Sequence, residues 1–334
     1  MKAFVHKGKP GIENTYFTDM EELEPKKEEV KVRIKTAGLN HRDLLNLHRR
    51  KEDSEPVVIG SDAAGIIVAI GEGVENVKVG DEVIINPSLK WSIKSDAPPS
   101  EFEILGVPSH GTFAEFINVP FQNVELKPKH LSWEEAGVLP LAALTAYRAL
   151  FTRGKVKPEQ TILIPGIGSG VATFVLLMAK AIGARVIVSS RSEEKMNRAL
   201  DLGADLAINS KSDWKEELKN EKIDLIIDSV GPATWDKVMD VIQDGGTVVC
   251  FGATTGEDIH INLKSLYFGQ YNILGTTMGS REEFKEMLQL VEKYQLRPVI
   301  DEVFLHSDTL YAFKRMSEGE QFGKIALQIG EQSI

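Results

Sequence analysis

From residue 1 to about 125 the apolar positions come in short, largely alternating runs, MKAFVHK, VKVRIK, AAGIIVAI, DEVIIN and TFAEFINV, separated by Gly, Pro and acidic clusters. Alternation of this kind over four to eight residues predicts strands, so this part of the chain is expected to be mostly β. Residues 87–110, PSLKWSIKSDAPPSEFEILGVPSH, hold several prolines and no period, and read as a long excursion from the sheet. From about 125 to 267 the pattern changes. Runs rich in Val and Ile (TILIPG, RVIVSS, DLAIN, IDLIIDSV, GTVVCFG) alternate with helical stretches (SGVATFVLLMAKAIG, SEEKMNRALDLG, SDWKEELKN, PATWDKVMDVIQD). Continuous apolar strands between amphipathic helices predict a parallel sheet covered on both faces, a doubly wound α/β domain. The remaining pieces, ILGTTMG, REEFKEMLQLVEKY, VIDEVF, SDTLYAFKRMSEG and GKIALQI, are too few for a third domain and are expected to rejoin one of the first two.

The length of 334 residues agrees with about two domains. With 39 basic and 49 acidic side chains the formal charge is -10, and no Lys/Arg block is long enough to neutralise a row of phosphates, so nucleic acid is not an expected partner. No run reaches 18 apolar residues and the N-terminus lacks a signal-peptide pattern; the expectation is a soluble, cytoplasmic protein with no membrane partner. The single cysteine, Cys250, rules out an intrachain disulfide and a Cys-rich zinc cluster. Its setting in GTVVCFG suits a buried thiol acting as a small hydrophobe.

TILIPGIGSGVA sets Gly166, Gly168, Ser169, Gly170 and Val171 where a strand passes into a helix. Glycines let the backbone approach a pyrophosphate, whose charge meets free amides and the positive end of the helix dipole. The context, opening a βαβ series, predicts dinucleotide binding, although the spacing departs from GxGxxG, with Ala172 in place of a later glycine. An acidic residue at the end of the second strand would favour NADH. This chain reads Ser189, Ser190, Arg191, with Lys195 one turn on, and two hydroxyls with two cations suit a 2′-phosphate, predicting NADP(H).

The phrases GLNHRD, IGSDAAGIIVAIGEGVENVKVGDEV, GTFAEF, LPLAALTAYRAL, AKAIGARVI and LDLGAD together resemble the medium-chain dehydrogenase/reductase superfamily over nearly the whole chain. The resemblance implies a GroES-like catalytic domain over 1–125 and 268–334, a Rossmann NADP-binding domain over 126–267, a nucleotide bound in the cleft beside the catalytic domain, and a homodimer built through the nucleotide domains around ILGTTMG. It implies that Thr145 faces the nicotinamide, with Ser229, Gly252, Ala253, Thr276 and Met278 as further cofactor-cleft residues and Lys324 as a phosphate ligand.

Zinc-dependent members hold a catalytic metal with Cys, His and Cys; matching the motifs puts Asn40, Ser61 and Leu141 at those places. Neither an amide, a hydroxyl nor an alkyl group replaces a thiolate or imidazole on zinc, so no metal is expected. The four-cysteine structural zinc is absent too, since residues 88–108 contain no Cys, leaving Trp91 and Phe102 as candidate anchors of that lobe. What remains resembles the zinc-free quinone oxidoreductase branch, which reduces quinones, enones or enals with NADPH, although Leu45 or a neighbour stands where many members keep a Tyr. Without a metal, a developing oxyanion needs preorganised donors. Asn40 is the first candidate, against an Asn that only closes the turn after a strand; Ser61 is a second donor or a hydroxyl that fills the vacated ligand position, and His41 and His48 are proton sources or structural residues near a helix start. Asp43 is expected to tie its own helix or loop, and Arg42 stands where zinc enzymes keep a relay hydroxyl. Two other readings remain open: an NADPH-binding redox sensor or structural protein without turnover, and an alcohol dehydrogenase-like enzyme with an atypical metal site at His41, Asp43 and Asp62.

Overall fold

The structure, a computed structural model, describes residues 1–330 and divides into two compact units, 1–142 with 279–330 and 143–278. Both boundaries fall later than the expected 125/126 and 267/268. At the first, the helix Trp133–Val138 packs on the strands Glu29–Gly38 and Asp62–Ile70 and so belongs with them. At the second, Asn272–Gly275 pairs with Ile242–Cys250 as a sixth parallel strand, which puts ILGTTM in the nucleotide unit.

The first unit is the β-rich one. Its seven-stranded sheet runs Val124–Leu126, Glu82–Ile85, Asp62–Ile70, Glu29–Gly38, Lys324–Gln328, Ile300–Leu305, with Phe116–Pro120 also paired to Glu29–Gly38. A smaller sheet joins Lys2–His6 to Thr15–Asp19 and Val57–Val58. The inward positions of these strands, Val30, Val32, Ile34, Ile67, Val83 and Ile85 among them, form one core with Phe113 and Phe313. The excursion keeps only a two-stranded ribbon, Ser88–Leu89 with Glu103–Ile104. Beyond it Trp91 is buried and meets Phe102 edge-on, ring centroids 5.3 Å apart. The lobe is tied to the start of the helix Arg281–Lys293: Ser88 Oγ donates to Gly279 O, Arg281 N to Trp91 O and Lys94 N to Glu282. The aromatic pair and these bonds hold the lobe on that helix start.

The second unit holds six strands, all parallel. In sheet order they are Leu206–Asn209, Arg185–Ser190, Thr161–Ile164, Ile223–Asp228, Ile242–Cys250 and Asn272–Gly275. Numbered along the chain this is 3-2-1-4-5-6, the Rossmann order, whose ligand site lies outside the carboxyl ends of strands 1 and 4 where the winding reverses. Thr161–Ile164 is buried on both faces, as a central parallel strand requires. SDWKEELKN yields only the short helix Trp214–Glu217, whose Asp213 side chain accepts from the first-turn amides.

Candidate functional site

In the nucleotide unit the site is built by the strand-to-helix turn after Ile164. Gly166 has φ +71° and Gly168 φ +130°, values that L side chains rarely adopt, and a Cβ on Gly166 would come within 2.7 Å of Val230 Cγ2. Ser189 Oγ accepts from Gly166 N and Ser189 O from Ile167 N, which fastens the turn to the neighbouring strand. Ser169 caps the helix Gly170–Ala181, its hydroxyl accepting from Ala172 N. The amides of Gly170 and Val171, first in that helix, lie at its positive end.

The other expected cofactor residues gather at the same edge. The turn 228–231 and the loop 251–256 are stitched together: Thr254 N bonds Ser229 O and Thr255 N bonds Val230 O, while a Cβ on Gly252 would touch Ser229 at 3.2 Å. Thr145 Oγ1 lies 3.9 Å from Met278 Sδ. Thr276 Oγ1 is buried with no hydrogen-bond partner, a polar group that a bound ligand can pair. These features fit a nicotinamide dinucleotide. Arg191 is exposed beyond the second strand and Lys195 half-buried in the first turn of the next helix, where Glu193 and Glu194 also stand. Ser190 Oγ accepts from Ser192 N. Burial, with Asp228 beside it, pushes the Cys250 thiol up to about 11, so it stays protonated and unsuited to nucleophilic work.

In the β-rich unit, strand register creates a second polar centre. Gly38 pairs with Asp62 in one neighbouring strand and with Ala326 in the other, while Leu39 N donates to Ile325 O. Asn40, just beyond the strand, therefore meets Asp62 and Lys324 although the lysine lies 284 residues away. The Lys324 ammonium is 3% exposed and has three acceptors: Leu39 O at 2.8 Å, Asn40 Oδ1 at 2.5 Å and Asp62 Oδ2 at 3.1 Å. Asp62, fully buried, also accepts from Asn40 Nδ2 at 2.9 Å and Leu141 N at 2.7 Å. Burial raises the Asp62 carboxyl, and Lys324, Asn40 and Leu141 oppose the rise. With all three N–H directions taken, Lys324 is not the phosphate ligand expected from its motif; the register that buries it accounts for the difference.

A second carboxylate lies behind the first. Asp43 accepts from Asn40 N and from Ser61 Oγ, both at 2.9 Å, and burial raises its carboxyl to about 6. Arg42 Nη1 donates to Ser61 Oγ at 2.7 Å and to Leu105 O at 2.8 Å. Ser61 is fully buried and its one hydroxyl hydrogen has Asp43 and Leu105 O as acceptors, so it bridges Arg42 to Asp43 instead of serving as a substrate donor. His41 and His48 stand exposed at the two ends of the helix His41–Arg49.

The three positions that the resemblance assigned to zinc ligands thus carry an amide, a hydroxyl and an alkyl side chain, all in or against a network already closed by Lys324 and Arg42. Among the described residues no group of three or more His, Cys, Asp or Glu could hold a metal ion. The residues present do not fit zinc.

Residues 26–129 match the family model for the alcohol dehydrogenase GroES-like domain and residues 170–293 the model for zinc-binding dehydrogenases. A zinc-type alcohol dehydrogenase-like protein, YogA, of Leptosphaeria maculans is 34% identical, over 91% of this chain and 92% of its own length. The 2-methylene-furan-3-one reductase of Solanum lycopersicum is 32% identical, over 90% of this chain and 72% of its own. A solved structure of an NAD-dependent alcohol dehydrogenase superposes with TM-score 0.91 at 33% identity, covering 99% of this chain and all of the other. With a Rossmann unit whose glycine turn fits a nicotinamide dinucleotide and a GroES-like unit beside it in sequence, the chain belongs to the medium-chain dehydrogenase/reductase superfamily and is an oxidoreductase.

Proposed function

We propose that the protein is a zinc-independent, NADPH-dependent reductase of quinones or α,β-unsaturated carbonyl compounds. The observation that carries this reading is Asn40, whose amide is held by Lys324 and Asp62 with one Nδ2–H bonded and the second left for a ligand. NADPH, when bound, supplies hydride. Reduction of a conjugated carbonyl leaves negative charge on its oxygen, which the second Asn40 N–H meets as a preorganised donor; the proton follows from water. Oxidising a simple alcohol instead requires loss of a hydroxyl proton of high pKa, a task suited to a metal that these residues do not fit. The name of the tomato relative, a reductase of an enone, supports the same reading. Arg191 and Ser190 at the end of the second strand, with no carboxylate among residues 188–191, support NADPH over NADH.

The names of YogA and of the NAD-dependent structural neighbour favour a second reading, an alcohol dehydrogenase. One experiment separates the two. The purified protein is assayed for NADPH oxidation against quinones, enals, enones and aldehydes, repeated with NADH and with alcohols plus NADP⁺, alongside elemental analysis. The expected result is enone or quinone turnover with NADPH and negligible zinc; stoichiometric zinc with alcohol oxidation would establish the alternative.

A further inference from the structure

Buried cations near a reacting centre are costly, and Lys324 is 3% exposed. Its charge is balanced by Asp62, so the pair exerts little net field on a distant substrate. The structure shows a more local route. The ammonium donates to Asn40 Oδ1, and the carboxylate accepts from Asn40 Nδ2. Turning that amide over would set its NH2 against the ammonium and its oxygen against the carboxylate, two repulsive contacts in place of two attractive ones. The pair therefore fixes which way Asn40 faces. A cation on the amide oxygen also draws electron density from the amide nitrogen and strengthens its N–H donors; the Asp62 carboxylate on the first N–H acts in the opposite sense, so removing Lys324 leaves the remaining N–H the weaker donor.

We infer that Lys324 is a positioning residue for the reduction, the built-in cation that orients and polarises Asn40 at the place where related enzymes keep a metal ligand. The inference rests on the reading of Asn40 as the oxyanion donor. It assigns Lys324, 262 residues beyond Asp62, a task that the motif around it does not announce. It also accounts for the poor fit to zinc, since a divalent ion among these residues would face the ammonium.

The test is a mutant cycle on the full-length protein with the best of 9,10-phenanthrenequinone and trans-2-hexenal as substrate. Lys324→Gln keeps a neutral donor, Lys324→Met removes it, and Lys324→Met with Asp62→Asn removes the charge pair together, which guards against misfolding around a lone carboxylate. Expected are losses in kcat of about tenfold or more for the last two and a smaller loss for Lys324→Gln, with the NADPH Kd changed less than about twofold. In an Asn40→Ala background the same changes should cost less than about twofold, because the donor they act on is gone. Losses that multiply with Asn40→Ala, or a weakened NADPH Kd without a kcat effect, would overturn the inference. A readout free of turnover is the side-chain amide pair of Asn40 in protein labelled with 15N-asparagine, assigned by its loss in Asn40→Ala. It should shift on Lys324→Met, and an unmoved pair also overturns the inference. If no substrate is turned over by the unmodified protein, the proposed reaction fails, while the amide shift still decides whether Lys324 holds Asn40.

Discussion

Asn40 and Asp43 sit three positions apart and are set by opposite constraints. Asn40 is 7% exposed and keeps a donor for a ligand, so Asn40→Ala is expected to lower kcat by about 10²–10³-fold, the usual cost of an oxyanion donor, with NADPH affinity by fluorescence unchanged. A weakened NADPH affinity with unchanged kcat would move Asn40 to the cofactor side. Asp43 is 2% exposed, and burial holds its carboxyl at about 6 against 3.8 unfolded. The native state thus binds this proton more tightly than the unfolded chain, so the contribution favours folding most at low pH and is lost as pH rises from about 4 through 6. Fully developed, that tighter proton binding is worth about 3 kcal/mol. Urea unfolding at pH 4.5 and 7 should show this window in the unmodified protein and a flatter one in Asp43→Asn; equal slopes would remove Asp43 as its source. Asn40 was legible in the sequence because it stands in a motif position where a thiolate was required. Lys324 was not, because only the register of Glu29–Gly38 against Lys324–Gln328 brings its ammonium to Asn40.

Among the elements, the five apolar runs between 161 and 252 each form a strand of the parallel sheet; the central ones, Thr161–Ile164 and Ile223–Asp228, are buried on both faces and so carry a nearly continuous apolar signature, while the edge strand Leu206–Asn209 is only partly buried. Asn272–Gly275 has no such signature: four residues with exposed ends carry little pattern, and only the pairing of Ile273 with Val248 and Leu274 with Val249 reveals its sheet. TFAEFINV forms a strand only over Phe116–Pro120, since the segment before it is held by separate bonds, Phe4 N to Phe113 O and Phe113 N to Ile59 O. The turn at Gly166 is the element on which cofactor binding depends. Gly166→Ala forces a Cβ into a positive-φ backbone and toward Val230, and is expected to raise the NADPH Kd at least tenfold in a fluorescence titration. An unchanged Kd would mean the dinucleotide does not approach this turn. Arg191→Ala should instead weaken NADPH while leaving NADH nearly as before, because only the former carries the 2′-phosphate. Equal losses for both would remove Arg191 from that phosphate.

For the whole molecule, the proposed assembly is a homodimer through the nucleotide units, and the edge of the six-stranded sheet gives it a physical basis. Among the described residues Asn272–Gly275 is paired with a strand on one side only, leaving its other side open as a sheet edge. Close to it in sequence, Leu263, Tyr267 and Phe268 are 71%, 58% and 68% exposed, with the two rings 4.9 Å apart. Exposed apolar groups so concentrated on one short helix mark a surface that water covers poorly. A two-fold axis through that edge would pair Asn272–Gly275 with its own copy in antiparallel fashion and cover the same side chains in both protomers. Light scattering at micromolar concentration should then give twice 37.0 kDa. Tyr267→Glu with Phe268→Glu should give the monomer mass and keep NADPH binding, because neither side chain belongs to the glycine turn or the loops stitched to it. A monomeric unmodified protein, or a dimer indifferent to both charges, would place the contact elsewhere or nowhere.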